Sequence, residues 1–399
     1  MNAWNLSFQD RFSLGMTIKG AWVYEKMPNT DILKEGLSRL SITYPYLRGR
    51  YDGKANAVKW DENAIGTIPL EEVDARRYKV MDVVGHPRLA WSLVRPYDIK
   101  GFKKGMMPPL TASLVHLDDG EVLYVQAAHA LMDADSFYGF VGQWADLCKG
   151  MPITPMVLDQ SLRPRMDAWS KEQTLEKVKQ QGWIKIGAWS LLKMIWSLAR
   201  YNLSKKTVSV DVPLEEVEEL RNKSGAGTHG VLSALAARTL YARLKGHGTF
   251  RYITVVDMRG RFSGIGQDFM GNFSQAFLIG GDYDLKKSTE CLAAEISSDT
   301  RRFVSSDALG EAFQLCVCAS GYGLPYFCFD PSENSSSNPG TVYINNQLKF
   351  RACEMDWGFG WPKYVFPNEL SDMVKLWQPV AKGPYQIIYG GPVAKVMGK

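Results

Sequence analysis

The stretch 110–136 reads LTASLVHLDDGEVLYVQAAHALMDADS. Residues 110–117 and 121–128 are rich in strand-forming side chains, and Asp118-Asp119-Gly120 stands between them. This predicts a β-hairpin, because Asp-Gly tolerates the positive φ angles of a tight turn. Beyond it Phe137, Phe140, Val141, Trp144 and Leu147 recur at helical intervals, so the expected order is strand, short loop, helix. His129 falls where the apolar run stops. A side chain there enters a cleft without disturbing the scaffold, the usual setting of binding and catalytic groups.

Upstream, residues 31–40 have helical spacing, with Leu33, Leu37 and Leu40 on one side and Asp31 near the start. That segment breaks at Tyr44-Pro45-Tyr46 and runs through Leu47-Arg48-Gly49-Arg50-Tyr51, a turn leading to a strand. Downstream, 150–180 is rich in proline and charge and reads as a crossover between two halves. In 183–201, Ile184, Ala188, Leu191, Ile195 and Leu198 form one helical stripe, and Lys185, Trp189, Lys193, Trp196 and Arg200 form another. Cations spread through the segment argue against a transmembrane span. Two readings stay open: an amphipathic helix covering the domain junction, or contact with a membrane surface, which Trp and Lys also suit.

A second unit begins near Val208, with helices expected over 215–223 and 229–244 and strands at 250–257, 273–279, 341–350 and 384–390. Residues 332–340 read as a polar surface loop. At 399 residues the chain exceeds what one core organises. The expected organisation is therefore an N-terminal domain over 1–150, a crossover segment with an amphipathic helix over 151–205, and a C-terminal domain over 206–399.

Composition narrows the function classes. With 45% apolar and 22% charged residues the chain has the balance of a soluble globular protein. The net charge of +5 suits small anionic molecules. No basic run interleaved with aromatics appears, so nucleic acid is not an expected partner. The N-terminus lacks a cationic start followed by an apolar run, which argues against a secretory signal and for a cytoplasmic protein. Cys148, Cys291, Cys316, Cys318, Cys328 and Cys353 show no zinc-type spacing, so no metal site is expected and reduced thiols are.

The five histidines are His86, His116, His129, His229 and His247, and only His129 ends an apolar strand-like run. Imidazole near its ordinary pKa can take a proton from a hydroxyl or amine as that group attacks a carbonyl. Asp133, four residues on, either orients the ring or locks the turn through a cation elsewhere. Alone, His-x-x-x-Asp is weak evidence, since five histidines and ordinary Asp usage give roughly one chance in four of a random match.

The segment His129-Ala130-Leu131-Met132-Asp133-Ala134 resembles the His-x-x-x-Asp-Gly motif of BAHD acyltransferases, relatives of chloramphenicol acetyltransferase and of peptide-synthetase condensation domains. Asp356-Trp357-Gly358-Phe359-Gly360-Trp361-Pro362 is similar to that family's Asp-Phe-Gly-Trp-Gly motif with its two aromatics exchanged. Between them, Asp257-Met258-Arg259-Gly260-Arg261-Phe262 followed by Phe269-Met270-Gly271-Asn272 resembles the family's Asp-x-Arg-x-Arg…Tyr-Phe-Gly-Asn run. Leu6-Ser7-Phe8-Gln9-Asp10 resembles its opening, and Leu37 to Arg50 its helix-to-strand passage. Five features in the same order make the resemblance specific at family level.

The resemblance implies an α/β fold of two chloramphenicol-acetyltransferase-like domains, each a mixed β-sheet flanked by helices, with an active-site channel at their interface. It implies transfer of an acyl group, acetyl or another small acyl, to a hydroxyl or amine of a specialised metabolite; since both halves sit in one chain, the channel can form within a monomer, the expected state. His129 would be the general base of a ternary-complex reaction, with acyl-CoA as cosubstrate and no permanently bound cofactor. Asp133 would turn away from the ring toward an arginine and shape the loop. Asp356, with Gly358 and Gly360, would be structural and pair with Arg259 or Arg261. Ser136 matches a small hydroxyl residue common in the family and is the candidate cofactor contact.

Three departures stand out. Ala134 replaces the motif glycine, and the exchange at 357–359 is expected to preserve packing volume. Where the family often carries Thr-Ser-Trp, this chain has Asn345-Asn346-Gln347. Asn345 and Gln347 are the candidates for the acceptor site and for the donor to a developing oxyanion. Two other readings keep the fold: a condensation-type enzyme that takes its thioester from a carrier protein, and a catalytically silent binding protein.

Overall fold

A computed structural model of the chain describes residues 2–63, 66–162, 165–190, 192–193, 195–196, 207–244, 248–262, 264–329, 340–367, 373–390 and 394. His247 and residues 332–339 of the polar loop lie outside the described residues. Two mixed sheets organise the rest. One has five strands in the order Tyr364–Phe366, Thr17–Tyr24, Glu121–Ala128, Leu110–His116, Leu70–Asp74, and only the last two run parallel to each other. The other has six, in the order Ser274–Asp284, Thr249–Asp257, Thr341–Asn346, Val374–Trp377, Tyr385–Gly390, Thr207–Val212. Its three inner neighbours, from Thr249 to Trp377, run parallel and its outer pairs antiparallel. Helices flank both sheets.

The hairpin of the opening stretch forms as the sequence predicts, with His116 opposite Glu121. The reason for its glycine differs. Gly120 is not among the glycines with positive φ. A Cβ there would lie 2.5 Å from the Tyr24 carbonyl oxygen and 2.6 Å from the Val80 side chain, so close packing, not a left-handed turn, requires it.

Asn29 caps the helix Thr30–Thr43 by accepting from the Ile32 N–H, and Leu33, Leu37 and Leu40 are buried as their spacing predicts. Burial of each such side chain stabilises the fold by about 1.5–3 kcal/mol. The helix Ala134–Cys148 buries Phe137, Phe140, Val141, Trp144 and Leu147 against the first sheet.

Two sequence expectations need correction. The strand Tyr364–Phe366 pairs with Thr17–Tyr24, so one strand of the 206–399 half completes the sheet of the 1–150 half. The segment 183–201 does not cover the domain junction with its described side chains. Ile195, expected on the packing stripe, is exposed, as are Trp189, Leu192 and Trp196. No helix among the described residues is long and apolar enough to cross a membrane. The six cysteines are free thiols; Cys318 and Cys353 are buried and Cys291 is exposed.

Candidate active site

His129 follows directly on the strand Glu121–Ala128 and is half-buried. Its N–H bonds the Met16 carbonyl at 3.0 Å, which continues the pairing of that strand with Thr17–Tyr24 by one residue. The imidazole Nδ1 lies 3.2 Å from Oδ1 of Asn272, a residue of the other half that is buried. The Asn272 amide nitrogen donates to Asp10 Oδ1 and to the His129 carbonyl, both at 2.9 Å. Two acceptors around the nitrogen fix which end of the amide is which, so Oδ1 faces the ring and must accept. Nδ1 therefore carries the proton, and Nε2 keeps a lone pair free to receive one.

Asp10 is itself held rigidly. It forms a capping box with Ser7 at the start of the helix Phe8–Phe12, and it is fully buried. Asp10 and Asn272 lie inside motifs quoted above, but only the fold joins them to His129. Asn272→Ala is expected to lower kcat about tenfold or more through loss of the correct tautomer, with KM changed less. A kcat within twofold of wild type, measured on correctly folded protein, would refute the orienting role.

Asp133 turns away from His129 and caps the helix Ala134–Cys148, accepting from the Ser136 N–H at 3.1 Å. Both its oxygens meet the Arg259 guanidinium at 3.0 Å. Oδ2 also accepts from the Phe273 N–H and the Ser274 hydroxyl. Arg259 is fully buried and further contacts Asp257, the Phe269 and Gly271 carbonyls and the Ser136 hydroxyl. Burial alone would raise the Asp133 carboxyl, but the Arg259 charge and the N–H donors outweigh it and bring it down to about 2. This buried network bolts the two halves together immediately behind His129.

Two expected roles fail on geometry. Asp356 does not pair with Arg259 or Arg261; its Oδ1 accepts from the Gly358 and Gly360 N–H groups at 2.8 and 2.9 Å. Gly358 and Gly360 have φ of 97° and 96°, which lets the backbone curl around that carboxylate. Ser136 is buried, and its hydroxyl is engaged by Arg259 and by both polar groups of the Gly271 backbone. It is not available to a cofactor. The aromatic exchange is also unequal. Trp357 is buried, edge-on to Trp144, and donates to Tyr24, whereas Phe359 is 52% exposed under the Lys26 ammonium.

Asn345 and Gln347 separate in the fold. Asn345 is half-buried opposite Lys375 in the parallel pair Thr341–Asn346 and Val374–Trp377. Gln347 is buried and lines a cavity of about 400 Å³ together with His229, Lys349, Arg351 and Trp377. Asn346 lines it too, and His129 does not. Two buried polar atoms on its walls, Gln347 Oε1 and His229 Nδ1, have no partner among the described residues. The cavity wall reaches the motif through Lys349, whose ammonium lies 3.0 Å from Asp135 and 2.6 Å from Asp257. Burial lowers the His229 imidazole to about 4, and its Nε2 bonds the Tyr252 hydroxyl. His229 was read from sequence only as a helix start; nothing in its neighbours signals the cavity.

Two other histidines, His86 and His116, are placed elsewhere. His86 bonds the Asp82 carbonyl on the surface, and His116 lies between Glu72 and Glu121.

No protein-family model and no curated protein matches the sequence. Solved structures do match the fold. TRI101 of F. sporotrichioides, complexed with coenzyme A and T-2, is 18% identical, with a TM-score of 0.71 over 100% of this chain and 97% of that one. Vinorine synthase is 13% identical, with a TM-score of 0.68 over 100% and 92%. The first condensation domain of the CDA synthetase is 11% identical, with a TM-score of 0.61 over 98% and 90%. The chain thus has the two-domain fold shared by BAHD acyltransferases and condensation domains. At these identities the likeness defines the fold, and chemistry must be argued from the site.

Proposed function

We propose that the chain is an acyl-CoA-dependent acyltransferase acting on a hydroxyl or amine of a small specialised metabolite. The observation that carries the reading is the His129–Asn272–Asp10 chain, which leaves Nε2 as a proton acceptor at the junction of the two halves. Nε2 takes the proton of the acceptor as its oxygen or nitrogen attacks the thioester carbonyl. The tetrahedral intermediate collapses with loss of the thiolate, which recovers the proton from the imidazolium. Products are the ester or amide and free coenzyme A thiol, with no acyl-enzyme.

Asp133 and Arg259 hold the loop that carries the base, and neither touches the reacting atoms in this reading. Between the two amide candidates we assign Gln347, which lies on the wall of the cavity that adjoins the His129 loop through Lys349 and Asp135, whereas Asn345 is not on that wall. Its unpartnered atom is the carbonyl oxygen, so the amide must present its N–H end to serve an oxyanion. Gln347→Ala is expected to lower kcat about tenfold or more, and Asn345→Ala to leave it nearly unchanged; the reverse ranking would refute the assignment.

The test of the function is thiol release by the purified chain from acetyl-, malonyl- and aromatic acyl-CoA in the presence of an alcohol and amine panel. Turnover of free acyl-CoA without a carrier protein supports the reading. Turnover confined to a carrier-bound thioester would instead assign the condensation-type reaction, and none with either donor would favour a binding protein.

A further inference from the structure

Residues 188–190, 192–193 and 195–196 are helical, and their large apolar side chains stand out from the protein. Trp189 is 68% exposed, Leu192 58%, Ile195 54% and Trp196 65%. Trp189, Leu192, Lys193 and Trp196 follow the i, i+3, i+4, i+7 spacing of one helical face. Isolated exposed apolar residues are ordinary, but four neighbouring large ones mark a surface that binds something. The root of the helix is firmly held. Trp183 packs in a small core with Val178, Leu315 and Ala319, and Ile184–Lys185 pairs with Tyr326–Phe327. Phe327, on that paired strand, adds a further exposed ring.

The charge along this segment of sequence is one-sided. Between Glu176 and Asp211 the sequence has no acidic residue and carries seven Lys or Arg. Lys185 and Lys193 are exposed, and the Lys193 ammonium lies 5.9 Å from the Trp189 ring centroid. A second copy docked face to face would bring these cations against their own counterparts. A surface of anionic headgroups over hydrocarbon complements both features: indole rings reside at that boundary, and lysine stems extend while their ammonium groups reach phosphates. We propose that this segment binds the surface of an anionic lipid bilayer. Trp189, Leu192, Ile195 and Trp196 enter the interface, and Lys185 and Lys193 meet the lipid phosphates.

The experiment is co-sedimentation of the full chain with vesicles of phosphatidylcholine and phosphatidylserine in roughly a 7:3 ratio, against pure phosphatidylcholine. The expected result is at least about tenfold stronger partitioning onto the anionic vesicles, weakened by salt. A Trp189→Ala/Trp196→Ala variant and a Lys185→Gln/Lys193→Gln variant should each lose about tenfold. Their circular dichroism and thermal unfolding should match wild type, because the replaced side chains are exposed. Equal binding to both vesicle types, no binding to either, or binding that survives the Trp replacements would overturn the proposal. So would a wild-type dimer in size-exclusion chromatography that the Trp replacements dissociate. None of these readouts uses acyl transfer, so the outcome is independent of the proposed reaction.

Discussion

Replacement of His129 by alanine is expected to lower kcat for acyl transfer by about 10²–10⁴, the usual worth of a positioned general base. Thermal unfolding should move little, because the ring is half-buried and, among the described residues, its Nδ1 bonds Asn272 alone. Binding of acyl-CoA should persist, since the replacement removes a proton acceptor and no contact assigned to the donor. The measurement is steady-state kinetics of thiol release alongside calorimetric titration with the donor. A His129→Ala protein that turns over within tenfold of wild type would remove His129 from the reaction. The comparison with Asn272→Ala sharpens the test. If the asparagine acts through the ring's tautomer, its replacement adds almost nothing once His129 is gone.

The second large effect falls on stability. Arg259→Met keeps much of the side-chain volume but leaves the buried Asp133 carboxylate without its cation. Breaking one partner of a buried ion pair costs about 3–5 kcal/mol, and the variant should unfold at a clearly lower temperature or express poorly. Asp133→Asn combined with Arg259→Met should be less destabilised than the sum of the two single changes, because the pair fails as a unit. Acid sensitivity follows from the same pair. The Asp133 carboxyl is held at about 2, below its ordinary value of 3.8. Its contribution is therefore fully present above about pH 4 and fades as pH falls toward 2. In Arg259→Met burial is no longer outweighed, so the carboxyl rises above its ordinary value, the folded state takes up the proton first, and the destabilisation caused by the replacement should shrink as pH falls. A stability gap between wild type and variant that stays constant from neutral pH down to about pH 3 would show that Asp133 does not depend on this partner.

Much of the local architecture was legible from spacing. The leucines of 31–40 and the aromatics of 137–147 declare their buried faces, and the hairpin lies where its turn residues stand. Such patterns repeat every two or three to four residues and need no knowledge of distant chain. Where a reading relied on a residue's usual reason, the fold sometimes supplied another. Gly120 is required by the Tyr24 backbone beside it, and Phe359 points to solvent while Trp357 fills the core.

The candidate site divides along the same line. His129 at a strand end, Asp133 four residues on and the order of five motif-like segments were visible in the sequence, and together they pointed to the fold and to His129 as the base proposed above. Their partners were not. Asn272 lies 143 residues from His129, Asp10 lies 262 from Asn272, and Arg259 lies 126 from Asp133. No spacing rule reaches across such separations, because the chain between them is free to fold in many ways. The resemblance implied a distant arginine as the partner of Asp356, while the backbone N–H groups of Gly358 and Gly360, two and four residues on, are the ones aimed at it.

By itself, then, the sequence determined the strand–loop–helix that presents His129 and the two-domain class to which it belongs, since both rest on local periodicity and ordered short motifs. Only the tertiary structure decided which tautomer the ring holds, that Ser136 is spent on Arg259 and Gly271, that Gln347 rather than Asn345 lines the cavity, and that Trp189 and Trp196 stand exposed. Each of those depends on which distant surfaces pack together, and burial is a property of the packed chain and not of any segment within it.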